Sequence, residues 1–292
     1  VSICVMIQLA NKKVNSLQKL KGEFIMKKTN YKTIKLEKGE INVFDFNGIK
    51  LHAYNTNDPL SDEVFVVEKG GNAVVIESPC FYDNIRELEN YIKSLNVEVT
   101  GVLVSYHAAG ATFLDGTKKY STKHADAYGH NGGGRALIDN FTSAFGEIFD
   151  SSIHTITDFI ENGKLVLGGI EFDIIDTDEG FDIIMPEINA IYTHMLGHDC
   201  HSIVAGEGHA EALIGTLNGY LKQGYDLVLT SHYTPEDLKD VKTKLAYLKE
   251  LTAIAKDCSN AAEFKQKVDK KYPEYSGQNY LDMTANFFFP KK

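Results

Sequence analysis

Short runs of alternating apolar and polar residues open the chain beyond residue 30. Residues 33–36, 41–46 and 49–54 read as strands, with Asn47-Gly48 as the turn between the second and third. Two more strands, 64–68 and 73–77, flank Gly70-Gly71 and form a second hairpin. Ile85, Leu88, Ile92 and Leu95 then recur at the spacing of a helix. The β-branched run 101–105 predicts a buried strand. After it, residues 106–134 are rich in His, Gly, Ala and Asp and read as a long connection, a length that usually serves function.

The second half repeats the pattern. A helix is expected over 135–149, then strands at 164–167, 170–176, 182–185 and 190–193. Ala210, Leu213, Ile214, Leu217 and Leu221 mark an amphipathic helix over 207–223, followed by a buried strand at 226–230. Thr234-Pro235-Glu236-Asp237 carries helix-start chemistry, and Asn260 with Glu263 resembles a capping box. The mixed charges of 239–249 suit a solvated helical face. Sheet material in two blocks, each followed by helices, predicts an α/β (α+β) sandwich rather than a regular parallel repeat.

Composition narrows the function classes. The 292 residues are 43% apolar and 24% charged, enough to build a sizeable core. Thirty basic against forty acidic side chains give a net charge of −10, which argues against nucleic acid as a partner. No apolar run approaches the roughly 18–20 residues of a membrane span, so no membrane contact is expected. Cys4, Cys80, Cys200 and Cys258 lie far apart, which fits reduced thiols and a cytoplasmic setting. Residues 1–25 are expected to pack poorly, with Met26 as an alternative start to Val1.

Histidines supply the candidate chemistry. His194, His198, His201 and His209 fall within sixteen residues, beside Asp199 and Cys200. His198 and His201 share a face if that stretch is helical. His124 and His130 lie in the 106–134 connection, and the stretch from Asp126 through Gly132-Gly133-Gly134 to Arg135 reads as a glycine-rich lid or substrate loop. It lacks a nucleotide fingerprint. Cys80 and Cys200 read as inert thiols. Phe287-Phe288-Phe289 reads as an anchor for the last helix or, if exposed, as a contact between copies of the chain.

The strand 101–105 followed by Tyr106-His107-Ala108-Ala109-Gly110-Ala111-Thr112, taken with the Gly70-Gly71 hairpin and Leu229-Thr230-Ser231-His232, resembles the metallo-β-lactamase superfamily. The resemblance spans roughly residues 60–235 in order of elements. It implies a four-layer αββα sandwich over 26–235 with a helical C-terminal extension at 236–292. For family members it implies metal-assisted hydrolysis by two ions held on His-x-His-x-Asp-His, a further His, a bridging Asp and a final His. Mapped onto this chain, the first four ligand positions become Tyr106, Ala108, Gly110 and Ala111, or His107, Ala109, Ala111 and Thr112 when shifted by one. Thr177 or its neighbours occupy the next position, the bridging position falls on Met195 after His194, and only His232 stands where the last ligand is expected.

The expectation is a protein that has lost its dinuclear centre. It would carry no metal or cofactor and would bind a small molecule in the former cleft, or partner an active paralogue. Tyr106, His107, Ala108, Gly110, Ala111, His194, Met195, His198, Asp199, His201 and His232 would line that cleft. The alternative is an active hydrolase of an ester, lactone or related bond, with zinc or another divalent metal on a rearranged set: His107, His198, Asp199, His201 and His232. A third reading is a metal-free enzyme with His107 or His232 as general base.

Overall fold

The computed structural model describes residues 30–194 and 197–290; the expectations for residues 1–25 and for Met195 lie outside them. Strands β1 (Lys32–Lys35), β2 (Glu40–Asp45), β3 (Ile49–Asn55), β4 (Glu63–Lys69) and β5 (Asn72–Ile76) pair antiparallel in sequence order. Their short turns allow nothing else. Helix α1 (Tyr82–Leu95) then crosses over, so β6 (Glu98–Leu103) lies parallel to β5, and β7 (Lys119–Ser121) and β8 (Asp158–Phe159) extend the same sheet in parallel. The second sheet runs β14-β13-β12-β11-β10-β9, from β9 (Gly163–Leu167), β10 (Ile170–Asp176), β11 (Phe181–Met185), β12 (Ala190–Thr193), β13 (Leu227–Thr230) and β14 (Tyr233–Glu236). Helix α4 (Glu207–Gln223) makes the crossover that sets β13 parallel to β12.

Burial follows the layers. One apolar cluster takes residues from both sheets, Phe44, Leu51, Phe65, Val67, Val74 and Ile76 against Phe172, Ile174, Phe181, Ile183 and Tyr192. A second places Val64, Val66, Val75 and Val102 against Ile85, Leu88 and Ile92 of α1. A third packs Ile191 and Val228 under α4, α5 (Leu238–Lys256), α6 (Ala261–Lys271) and α7 (Gln278–Phe288). Helix, sheet, sheet, helix is the predicted αββα sandwich. The C-terminal helices are part of its outer layer: Leu248, Phe264 and Leu281 share one cluster with Val228.

Four local expectations are corrected. The connection 106–134 is interrupted by β7 and by α2 (Lys123–Asn131), which Thr122 caps by accepting the Ala125 N–H, and α3 (Gly133–Phe145) starts within it. The glycine-rich stretch is therefore no lid. Gly132 joins two helices, and a Cβ on Gly133 would lie 2.6 Å from the Tyr128 hydroxyl, so glycine serves close helix packing. The helix start at 234–237 shifts: Thr234 and Pro235 lie in β14, and Asp237 caps α5 in a capping box with Asp240. The face of α5 read as solvated buries Val241, Lys244, Leu245 and Leu248, since neighbouring helices cover it.

Candidate functional site

Parallel pairing brings three strand ends to one place. β12 and β13 are in register to Thr193 opposite Thr230, so His194 and His232 emerge side by side, and the Ser231 N–H donates to the His194 carbonyl at 3.0 Å. The Glu63 N–H donates to the Ser231 carbonyl at 2.6 Å, which ties the start of β4 to this edge and sets Asp62 beneath it. The segment after β6 supplies His107 from the facing sheet.

Glu77, directly after β5, holds that segment. Its carboxylate accepts the backbone N–H groups of Ser105, Tyr106 and His107 at 3.4, 2.8 and 3.2 Å and the Tyr192 hydroxyl at 2.6 Å. The residue is fully buried and has φ +67, in the left-handed region that non-glycine residues rarely occupy. Such strain persists only where surroundings over-determine it, as four convergent donors do. Burial pushes its carboxyl up to about 7, against the pull of those donors.

His107, His194 and His232 form one group whose ligand-capable nitrogens all lie within 4.8 Å. The Nε2 atoms of His107 and His232 are 3.0 Å apart. His232 Nδ1 lies 3.2 Å from the Leu60 carbonyl oxygen, which can only accept, so the proton sits on Nδ1 and the Nε2 lone pair faces the group. Asp62 stands behind, 1% exposed, with its carboxylate 3.2 Å from His232 Nδ1 and 3.9 Å from His107 Nδ1. Among the described residues no donor is aligned for a full hydrogen bond to either Asp62 oxygen, so its contact with His232 is chiefly one of charge, and His107 Nδ1 has no partner. Burial drives His107 down to about 4 despite Asp62, and drives His194 well below its ordinary value with help from the two neighbouring rings. Burial also works against His232, but Asp62 outweighs it and raises that imidazole. The Asp62 carboxyl, raised by burial, ends lower because of the two imidazoles. Tyr106 stacks on His194 with centroids 4.7 Å apart and rings 8° from parallel, and its hydroxyl donates to Asp182 at 2.7 Å.

The remaining expected residues sit elsewhere. His198 Nδ1 contacts Glu236 at 2.8 Å, with Asp240 3.6 Å away; these three form a second group among the described residues. Glu236 also accepts the Gly197 and His198 N–H groups, and Asp240 completes the helix cap, so this group is internally satisfied. His201 is 1% exposed with Nδ1 at 2.9 Å from the Tyr247 hydroxyl, and Asp199 accepts from the Tyr233 hydroxyl. The rearranged set of His107, His198, Asp199, His201 and His232 therefore does not converge; each missing member is held by its own partner. His124 and His130, both on α2, pair with Asp176 at the end of β10 and with Asp126 of their own helix. The described cysteines are free thiols, Cys80 buried and pushed well up by burial.

Positions 108–112, onto which the resemblance maps ligands, serve packing and backbone hydrogen bonds. Ala108 and Ala109 join Cys80, Phe81, Ile138 and Phe149 in an apolar cluster against α3. A Cβ on Gly129 would lie 2.4 Å from the Ala108 Cβ, which leaves no space for an imidazole at 108. Gly110 has φ +84, and a Cβ there would lie 2.4 Å from the Pro79 carbonyl oxygen, so no carboxylate fits. Ala111 and Thr112 donate backbone N–H groups to the Ser152 carbonyl and the Asp150 carboxylate. These residues cannot hold a pair of ions. The three-imidazole group has the donor set for one, the three protein ligands of an open site. Sequence reasoning does not select His194 as a ligand because only strand pairing puts it beside His232; Asp62 carries no signal at all.

No family model matches the sequence, and no curated protein sequence matches it. The fold has solved counterparts. The stereoselective inverting sec-alkylsulfatase from Pseudomonas sp. superposes with a TM-score of 0.58 at 16% identity, over 83% of this chain and 49% of that one. The chain thus spans about half the length of that enzyme. A metallo-β-lactamase family protein from Thermus thermophilus superposes with a TM-score of 0.56 at 12% identity, over 82% of this chain and 91% of its own. The expected architecture is the one found: this chain has the metallo-β-lactamase fold. No described helix is long and apolar enough to cross a membrane.

Proposed function

We propose that the chain is a hydrolase with a single divalent transition-metal ion on His107, His194 and His232, in place of the dinuclear centre of the fold. One observation carries the proposal: three imidazoles meet above a buried carboxylate that faces two of them. When bound, such an ion supplies Lewis acidity at the centre under attack and leaves a coordination position for substrate. The Leu60 carbonyl fixes the tautomer that presents His232 Nε2, and Asp62 behind two of the rings favours positive charge among them. Tyr106 limits the rotation of His194 by stacking, and Glu77 holds the backbone from which His107 projects. Two of the three imidazoles are driven toward the neutral form that ligation needs.

A second reading has its own support. The 3.0 Å separation of the His107 and His232 Nε2 atoms is also a hydrogen-bond length, so the pair is satisfied by one shared proton with no ion. This is the metal-free, ligand-binding protein expected from the lost ligand positions.

Metal content separates the two. Protein purified without chelator, or reconstituted with zinc or cobalt, should hold one ion per chain, and His194→Ala should lose it together with turnover of activated esters, lactones or alkyl sulfates. An unfilled protein after reconstitution, or filling that His194→Ala leaves intact, overturns the hydrolase reading in favour of the second.

A further inference from the structure

Beside His232 opens a cavity of about 770 Å³, walled by the 197–203 segment, α4, α5 and the start of α7. That volume lies within the range of small-molecule sites, about 300–1,000 Å³. Its lining has a chemical bias. Acidic residues outnumber basic ones forty to thirty in this chain, yet no Asp or Glu is among the described residues that line the cavity. Leu213, Leu217 and Leu248 supply aliphatic surface, and Ser202, Asn279 and Tyr280 supply neutral polar groups. Among the described lining residues, the one ionisable nitrogen besides histidine is that of Lys244, which is 3% exposed. Lys244 Nζ donates to the Gly197 and Cys200 carbonyls and sits 4.9 Å above the Tyr247 ring. It is fixed in place, and its nearest acids, Asp199 and Glu236, do not line the cavity.

We propose that this cavity binds the hydrocarbon part of an uncharged or singly anionic amphiphile, whose reactive bond faces His232, and that it rejects cations. The proposal rests on the hydrolase reading for the placement of that bond, and on the cavity alone for the ligand class. An alkyl or acyl chain gains by leaving water for the leucine surface of the wall. An ammonium ligand would leave water for a wall with no carboxylate and a fixed positive charge, whereas a carboxylate or ester finds hydroxyl and amide donors.

Calorimetric titration of metal-free protein with butyrate, hexanoate, hexanol and hexylammonium tests it, since without an ion the carboxylates cannot report on metal ligation. Hexanoate should bind about tenfold more tightly than butyrate, the worth of two buried methylenes. Hexylammonium should bind at least about tenfold more weakly than hexanoate. Lys244→Met should narrow that charge discrimination. Should that variant fail to fold, Thr216→Trp, at an exposed position on the rim, should weaken all binding by obstructing the cavity while zinc uptake is unchanged. Equal or tighter binding of hexylammonium, no gain with chain length, no binding of hexanoate and hexanol, or indifference to Thr216→Trp overturns the proposal. Zinc uptake is scored separately. Loss of zinc binding with the probe order intact removes the hydrolase reading alone, and the reverse result removes the ligand class alone.

Discussion

Asp62 offers the sharpest test of the site, because in Asp62→Asn a charge disappears and the shape stays. The carboxylate lies 3.2 Å from His232 Nδ1 and 3.9 Å from His107 Nδ1, and an asparagine oxygen can keep the shorter of these contacts. A full charge pair about 4 Å apart is worth about 4 kcal/mol at an effective dielectric constant of 20. Ligation places only part of the ion's charge on each ring, so a third to a half of that, about 1.5–2 kcal/mol, is the expected loss. This corresponds to zinc affinity about ten- to thirtyfold weaker, within the about 10–100-fold usual for groups that support metal ligands. Competition against a chromophoric chelator gives the affinity, and urea unfolding of the metal-free variant shows whether it folds. A variant that folds normally yet binds zinc within about threefold of the parent would refute the role assigned to this carboxylate. The metal-free reading predicts instead that neither parent nor variant takes up zinc.

Other consequences are independent of the ion. Gly110→Ala places a Cβ 2.4 Å from the Pro79 carbonyl oxygen at φ +84, so urea unfolding should register a loss of about 2–4 kcal/mol; a neutral result would mean that the 108–112 segment is not locked against residues 78–80. Lys119 is 5% exposed, donates to the Phe113 and Leu114 carbonyls, and burial brings its ammonium down from 10.5 to about 8. The folded chain then releases this proton near pH 8 while the unfolded chain keeps it until about 10.5, so the unfolded state binds more protons in that window. Stability attributable to Lys119 should therefore rise with pH across it, by about 3 kcal/mol at most. The gap between wild type and Lys119→Met, measured at pH 7 and pH 10, should grow in favour of wild type; parallel pH profiles would show that the ammonium carries no burial penalty.

Much of the sandwich is legible in the chain because its determinants are local. Alternation at 41–46 and 49–54 with Asn47-Gly48 between them specifies a hairpin wherever it occurs, and the amphipathic pattern of 207–223 gives a helix found as Glu207–Gln223. The terminal phenylalanines act partly as read: Phe288 and Phe289 pack on Phe264, while Phe287 is half exposed. Errors arise where local chemistry is ambiguous. Three glycines before an arginine read as a loop but serve helix packing around Tyr128, while Arg135 pairs with Asp139, and the helix-start residues at 234–235 are taken up by the edge strand β14.

That positions 108–111 offer a metal no side-chain ligand needs only the sequence, since alanine and glycine side chains carry no electron pair in any fold. Which histidines meet is beyond it. Spacing draws attention to His198 and His201, but their rings are spent on Glu236 and Tyr247. His107, His194 and His232 are distant in the chain and meet because parallel pairing of β12 with β13, and the packing of two sheets face to face, bring three strand ends to one edge. Periodicity reports which residues share a face of one element; which faces meet depends on pairings between distant segments, decided when the whole core closes.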